Sequence, residues 1–119
     1  MGDYKNSAVY QRAYELALDL FSISKNITAS DAPGLKEKLQ NASMSVCLHL
    51  ADGFKRKRSR DYFDAKFYDA EMANEEVGIL LDFLNSYEYI NRHEYTALTN
   101  KNTEIGEMIR YMIEHPNKF

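Results

Sequence analysis

Cysteine, proline and glycine are scarce in this chain, with one, two and five residues respectively among 119. A single thiol, Cys47, cannot build an intramolecular disulfide framework and is too little for a zinc knuckle or an iron–sulfur site, so a reducing compartment is expected. So little glycine and proline, beside 45% hydrophobic and 28% charged residues, excludes collagen, low-complexity polymers and disordered tails. Long apolar runs are missing as well. Arg12, Glu15, Asp19 and Lys25 interrupt the early hydrophobic pattern at helical intervals, so no run of secretory or membrane length is present there and a cytoplasmic chain is expected. What is present is a single domain over 1–119, and 13.8 kDa is enough to remove about two-thirds of the extended surface from water.

The apolar residues repeat with the helical period and never alternate as a strand would. Val9, Ala13, Leu16, Leu20, Ile23 and Ile27 form one stripe, and Tyr10, Tyr14, Ala17 and Phe21 form a second beside it, a face wide enough for two neighbours. Ser30 and Asp31 before Pro33 predict a new helix start, after which Leu35, Leu39, Ala42 and Val46 continue the pattern. Small residues (Ala42, Ser43, Ser45, Ala51) on this helix permit close approach of a neighbour. Gly53 is expected to end it in a left-handed residue, leaving Phe54 to Arg58 as an exposed connector, and Ser59 to cap the next helix. Phe63, Phe67, Ala70, Asn74, Val77, Leu81 and Leu84 mark its seam. Asn91 and Glu94 have capping-box spacing, followed by Leu98, Asn102, Ile105, Ile109 and Met112. The expected helices cover about 6–28, 32–53, 60–88 and 92–114, with a frayed tail from Pro116 to Phe119. Short connections predict an all-α, antiparallel up-down-up-down four-helix bundle, in which Asn74 and Asn102 occupy matching seam positions and can meet.

Catalytic uses of such a bundle find no support. A di-iron site needs Glu-x-x-His pairs, but Val46, Ile90 and Met112 stand three residues before His49, His93 and His115, and no two histidines are four apart. No metal, cofactor or catalytic residue is assigned. His49 lies beside the apolar face and is expected as a hydrogen-bonded core or interface histidine. Cys47, between Val46 and Leu48, is expected as inert packing. Gly34, Gly53, Gly78 and Gly106 are isolated, so no phosphate loop exists, and Glu71, Glu75 and Glu76 are expected on a solvated face.

Charge is different. Five of the fifteen basic residues, Lys55, Arg56, Lys57, Arg58 and Arg60, lie within six positions of a chain whose net charge is −3. Such cations repel one another and gain most when anions neutralise them, and mixed arginine and lysine suits sequence-independent binding of phosphates. The same run is also compatible with a solvated loop balancing acidic helices or a nuclear-localisation mimic. Phe63 and Phe67 belong to the seam, which leaves Tyr62 and Phe54 as candidates to stack on bases.

Placed in order, these pieces resemble the bacterial four-helix-bundle family of proteins encoded within intervening sequences of 23S ribosomal RNA. The carriers are Tyr10-Gln11-Arg12-Ala13, Gly34-Leu35, Ala51-Asp52-Gly53-Phe54, the basic stretch with Ser59, and Tyr89-Ile90 before the last helix. Leu48-His49 departs from the family's Ser-Asn, and Lys55 stands where glycine is common. The resemblance implies a ring-forming homo-oligomer, a homopentamer, without catalytic residues. It also implies kinship with accessory subunits of diversity-generating retroelements, which look like nucleic-acid and reverse-transcriptase binders. The resulting expectation is a non-enzymatic oligomer that presents Lys55, Arg56, Lys57, Arg58 and Arg60 to RNA or DNA. The rival is a protein–protein adaptor or accessory subunit of a reverse-transcriptase-type complex.

Overall fold

Ser7 lies in extended backbone and its hydroxyl accepts from the Tyr10 N–H at 3.2 Å, satisfying an amide that a first helical turn leaves free. The first helix, α1, therefore runs Ala8–Ser24, preceded by a single 3₁₀ turn at Tyr4–Asn6. The computed structural model describes residues 3–115 and 118; the frayed tail expected at Pro116, Asn117 and Phe119 lies outside the described residues. α1 stops four residues before the expected 28. The buried Ser24 hydroxyl donates to the Phe21 carbonyl at 2.7 Å and accepts from the Gln40 side chain at 3.0 Å. The next amides, of Asn26 and Ile27, reach back only three residues, and that tighter turn takes Ile27 into the core.

The second helix, α2, spans Leu35–Lys55 and corrects the expected 32–53 at both ends. Thr28, rather than Ser30 or Asp31, organises the preceding turn. Its Oγ1 accepts from the Asp31 N–H at 3.3 Å and its carbonyl from the Ala32 N–H at 3.1 Å. Pro33 thus lies outside the helix, which the chain enters through Gly34 at φ 80, a left-handed conformation that only glycine adopts cheaply. Gly53 does not end α2. It is buried inside the helix, where a Cβ would stand 2.8 Å from two atoms of the Phe67 ring, so its function is close approach. The helix runs on and carries Phe54 into the core, edge-on to Phe63 and Phe67 at centroid distances of 6.2 and 5.2 Å. Phe54 is consequently no part of an exposed connector and no platform for bases.

Local chemistry sets the remaining helices, α3 (Arg60–Ser86) and α4 (Arg92–Glu114). Ser59 Oγ accepts from the Tyr62 N–H, and Asn91 and Glu94 form the reciprocal capping box at 2.8 and 2.9 Å. α3 ends two residues before the expected 88 because Glu88 turns left-handed at φ 66, letting the Tyr89 N–H reach the Leu84 carbonyl at 2.9 Å.

The described residues form four helices and no strand. Each helix packs on the next in sequence and α1 also packs on α4. The core stripes fall as the periodicity requires: Val9, Ala13, Leu16 and Leu20 are buried on α1, and every seam residue of α3 from Phe63 to Leu84 is buried. The second stripe of α1 is not absorbed. Tyr10 and Ala17 are half-buried, while Tyr14 and Phe21 are exposed.

Asn74 and Asn102 do meet. Each Nδ2 donates to the other's backbone carbonyl at 2.9 Å, and Asn102 Nδ2 also reaches Asn74 Oδ1 at 3.0 Å. Each asparagine is followed four residues later by a glycine that makes the room. A Cβ on Gly78 would lie 2.8 Å from Asn102 Oδ1, and one on Gly106 3.2 Å from Asn74 Nδ2. Buried amides left unpaired would each cost about 1–3 kcal/mol, so this reciprocal pair fixes the register of α3 on α4.

Candidate nucleic-acid interface

The basic residues occupy the last turn of α2, the exposed turn Arg56 to Ser59, and the first turn of α3. The turn is closed by two backbone bonds, from the Arg56 N–H to the Gly53 carbonyl at 3.3 Å and from the Ser59 N–H to the Arg56 carbonyl at 3.1 Å. The side chains from Lys55 to Ser59 are exposed. The Lys55 ammonium lies 5.4 Å from the Tyr4 ring centroid and the Arg56 guanidinium 5.2 Å from that of Tyr62. A ring face attracts a cation without cancelling its charge, so both remain available to anions. Lys57 and Arg58 are exposed and form no ion pair with a described residue.

Arg60, expected in the same set, is turned to its own chain. Its Nη2 donates to the Ile113 carbonyl at 2.9 Å and lies 2.7 Å from Asp64 Oδ1, with the guanidinium over the Phe63 ring. It joins the start of α3 to the last turn of α4, where terminal carbonyls lack helical partners and a cation suits the helix dipole. Two contributors escaped the sequence reading. Lys66 places its ammonium 5.7 Å from the Tyr62 ring, and its spacing of four from Tyr62 was the available signal. Tyr4 arrives under Lys55 because the 3₁₀ turn packs on α2, a contact with no local signature.

The sequence motifs resemble those of the intervening-sequence proteins, and the family model described as 23S rRNA-intervening sequence protein matches residues 5–111. The chain belongs to this family. A solved structure from Bacteroides thetaiotaomicron VPI-5482, described as a protein of unknown function from the S23 ribosomal protein family, shares the fold. The TM-score is 0.80, with 21% identity covering 89% of this chain and 95% of that one. No curated protein matches.

Elsewhere in this 23S rRNA-intervening sequence family member, the groups tested for chemistry are quiet. Cys47 is buried and desolvation pushes its thiol up to about 11, so little thiolate exists near neutral pH. His49 is half-buried, and its Nδ1 is closed to water with no hydrogen-bond partner among the described residues, where a hydrogen-bonded core histidine would have one. The α2 backbone around it is committed to the helix's own bonds. Glu75 and Glu76 are exposed, whereas Glu71 is largely covered and pairs with Arg110 across α3 and α4. Among the described residues no His, Cys, Asp and Glu cluster is arranged to hold a metal ion, and no helix is long and apolar enough to cross a membrane.

Proposed function

We propose that this family member is a cytoplasmic, non-enzymatic up-down-up-down bundle that binds nucleic acid, RNA foremost, through the charges of Lys55, Arg56, Lys57 and Arg58. The observation that carries the reading is how these cations are held. Lys55 and Arg56 lie over tyrosine rings, Lys57 and Arg58 point to solvent, and none of the four is paired with a carboxylate of the described residues. Such a cluster gains most from a polyanion, because each phosphate it neutralises releases condensed counterions. The four are mixed lysine and arginine carried on an exposed turn, which favours backbone contact over base reading. The family's description in terms of a 23S rRNA intervening sequence favours RNA over DNA.

Anisotropy of a fluorescein-labelled single-stranded RNA tests this. Four phosphate contacts give a plot of log affinity against log salt with a slope of about −3. Replacing Lys55, Arg56, Lys57 and Arg58 together by alanine lowers affinity about a thousandfold at low salt while the circular-dichroism spectrum and melting midpoint hold. Binding insensitive to salt, or undiminished in the quadruple variant, overturns the reading. Recovery of a defined protein partner after nuclease treatment, with no RNA retained, replaces it with the adaptor.

A further inference from the structure

Beside the basic turn, between the start of α1 and the last turns of α4, lies a cavity of about 460 Å³. Small-molecule sites span about 300–1,000 Å³, so the hollow is of that size. Phe54 and Met112 are buried in its floor and half-buried Met108 lies with them. Exposed Tyr111, whose ring stacks on His115 at a centroid distance of 4.0 Å, completes the apolar lining. Three neighbours tie the hollow to the cations. Phe54 immediately precedes Lys55, Ser7 ends the turn whose Tyr4 ring lies under Lys55, and Met112 precedes Ile113, whose carbonyl holds Arg60.

The charged part of the lining has the wrong sign for phosphate. It is Glu104 and Glu107, three residues apart on one face of α4. Glu104 is engaged by Arg12 of α1, whereas Glu107 is exposed and makes no hydrogen bond or ion pair with a described residue. A carboxylate only accepts hydrogen bonds, so it repels a phosphate and favours a group that donates. A flat apolar group with donors along one edge suits both halves of this lining, and in RNA that group is a base. Guanine alone sets two adjacent donors, N1–H and the 2-amino group, on its pairing edge, where one carboxylate accepts both. Adenine, cytosine and uracil each place acceptors beside their donor.

We propose that this hollow takes one unpaired guanine of the RNA, its flat faces against the apolar lining and its pairing edge on Glu107, while neighbouring phosphates lie on Lys55, Arg56, Lys57 and Arg58. The inference rests on the RNA reading and adds to it. The turn contributes affinity whatever the sequence, and the hollow contributes the choice of base. Unpaired bases are the part of RNA that proteins read, because they can be splayed out of the strand and covered.

Anisotropy of the full chain with short fluorescein-labelled RNAs tests it, using oligouridine and the same strand with one central guanosine, inosine or adenosine. The guanosine strand is expected to bind about tenfold more tightly than the adenosine strand. Inosine keeps N1–H but lacks the 2-amino group, and is expected to lose most of that advantage. Glu107 is exposed, so Glu107→Gln retains the fold; it is expected to abolish the guanosine preference and leave oligouridine binding undiminished. Met108→Trp fills the hollow without touching a carboxylate and is expected to do the same, with the circular-dichroism spectrum unchanged. Equal binding of the guanosine and adenosine strands, a preference that survives either substitution, or inosine equal to guanosine overturns the proposal while salt-dependent oligouridine binding keeps the RNA reading. Loss of binding to every strand overturns both.

Discussion

Where α3 passes into α4, Asn91 and Glu94 exchange bonds between side chain and backbone, Glu88 turns the chain left-handed, and Ile90 is buried beneath. Where α2 passes into α3, at the opposite end of α3, Arg56, Lys57 and Arg58 are exposed and the nearby cations rest on ring faces. The first connection uses its polar groups up in holding itself together. The second keeps its charge unspent, and its order comes from below, from the approach of Gly53 to Phe67 and from the Arg60 tie to Ile113. A turn tied by carboxylates would be locally firmer and electrostatically silent; ring faces contribute only about 0.5–1 kcal/mol each at exposed sites but leave the cation positive.

Four substitutions sharpen or break this contrast. The largest effect on stability is expected from Gly53→Val, which drives a side chain into the Phe67 ring and costs about 3 kcal/mol by urea unfolding. A loss below about 1 kcal/mol would mean that the close approach does not support the basic end. Arg60→Ala is expected to cost about 1.5 kcal/mol, the worth of a charge-assisted bond to a helix-end carbonyl, and to leave RNA affinity unchanged. Arg58→Ala should do the reverse, lowering affinity and flattening the salt slope by about 0.7 while stability moves less than about 0.5 kcal/mol. If the two arginines behave alike, the division between tie and free cation fails. Asn91→Ala removes one half of the capping box at the other end and is expected to cost about 1 kcal/mol with no change in RNA binding.

The same division explains which features were legible beforehand. α3 and α4 start where Ser59 and Asn91 announce them, because a side chain that caps an amide two or three residues away is a local event. α2 was misplaced at both ends because a glycine has two unrelated uses. Gly34 supplies a left-handed turn and Gly53 supplies room for a ring fourteen residues on, and no neighbouring residue tells them apart. Asn74 and Asn102 were recognisable as polar residues in apolar seams, while the parts played by Gly78 and Gly106 were hidden until α3 lay on α4.

Sequence alone determined the helical class, the buried stripes, the family motifs and the concentration of positive charge, since periodicity, capping and charge density all act over a few residues. Tertiary structure alone decided that Gly53 stays inside α2, that Tyr4 lies under Lys55, that Arg60 closes on Ile113 while Lys57 and Arg58 stay free, and that an apolar hollow opens beside the basic turn. Those outcomes depend on atoms brought together from distant parts of the chain, and such distances exist only once the helices have packed.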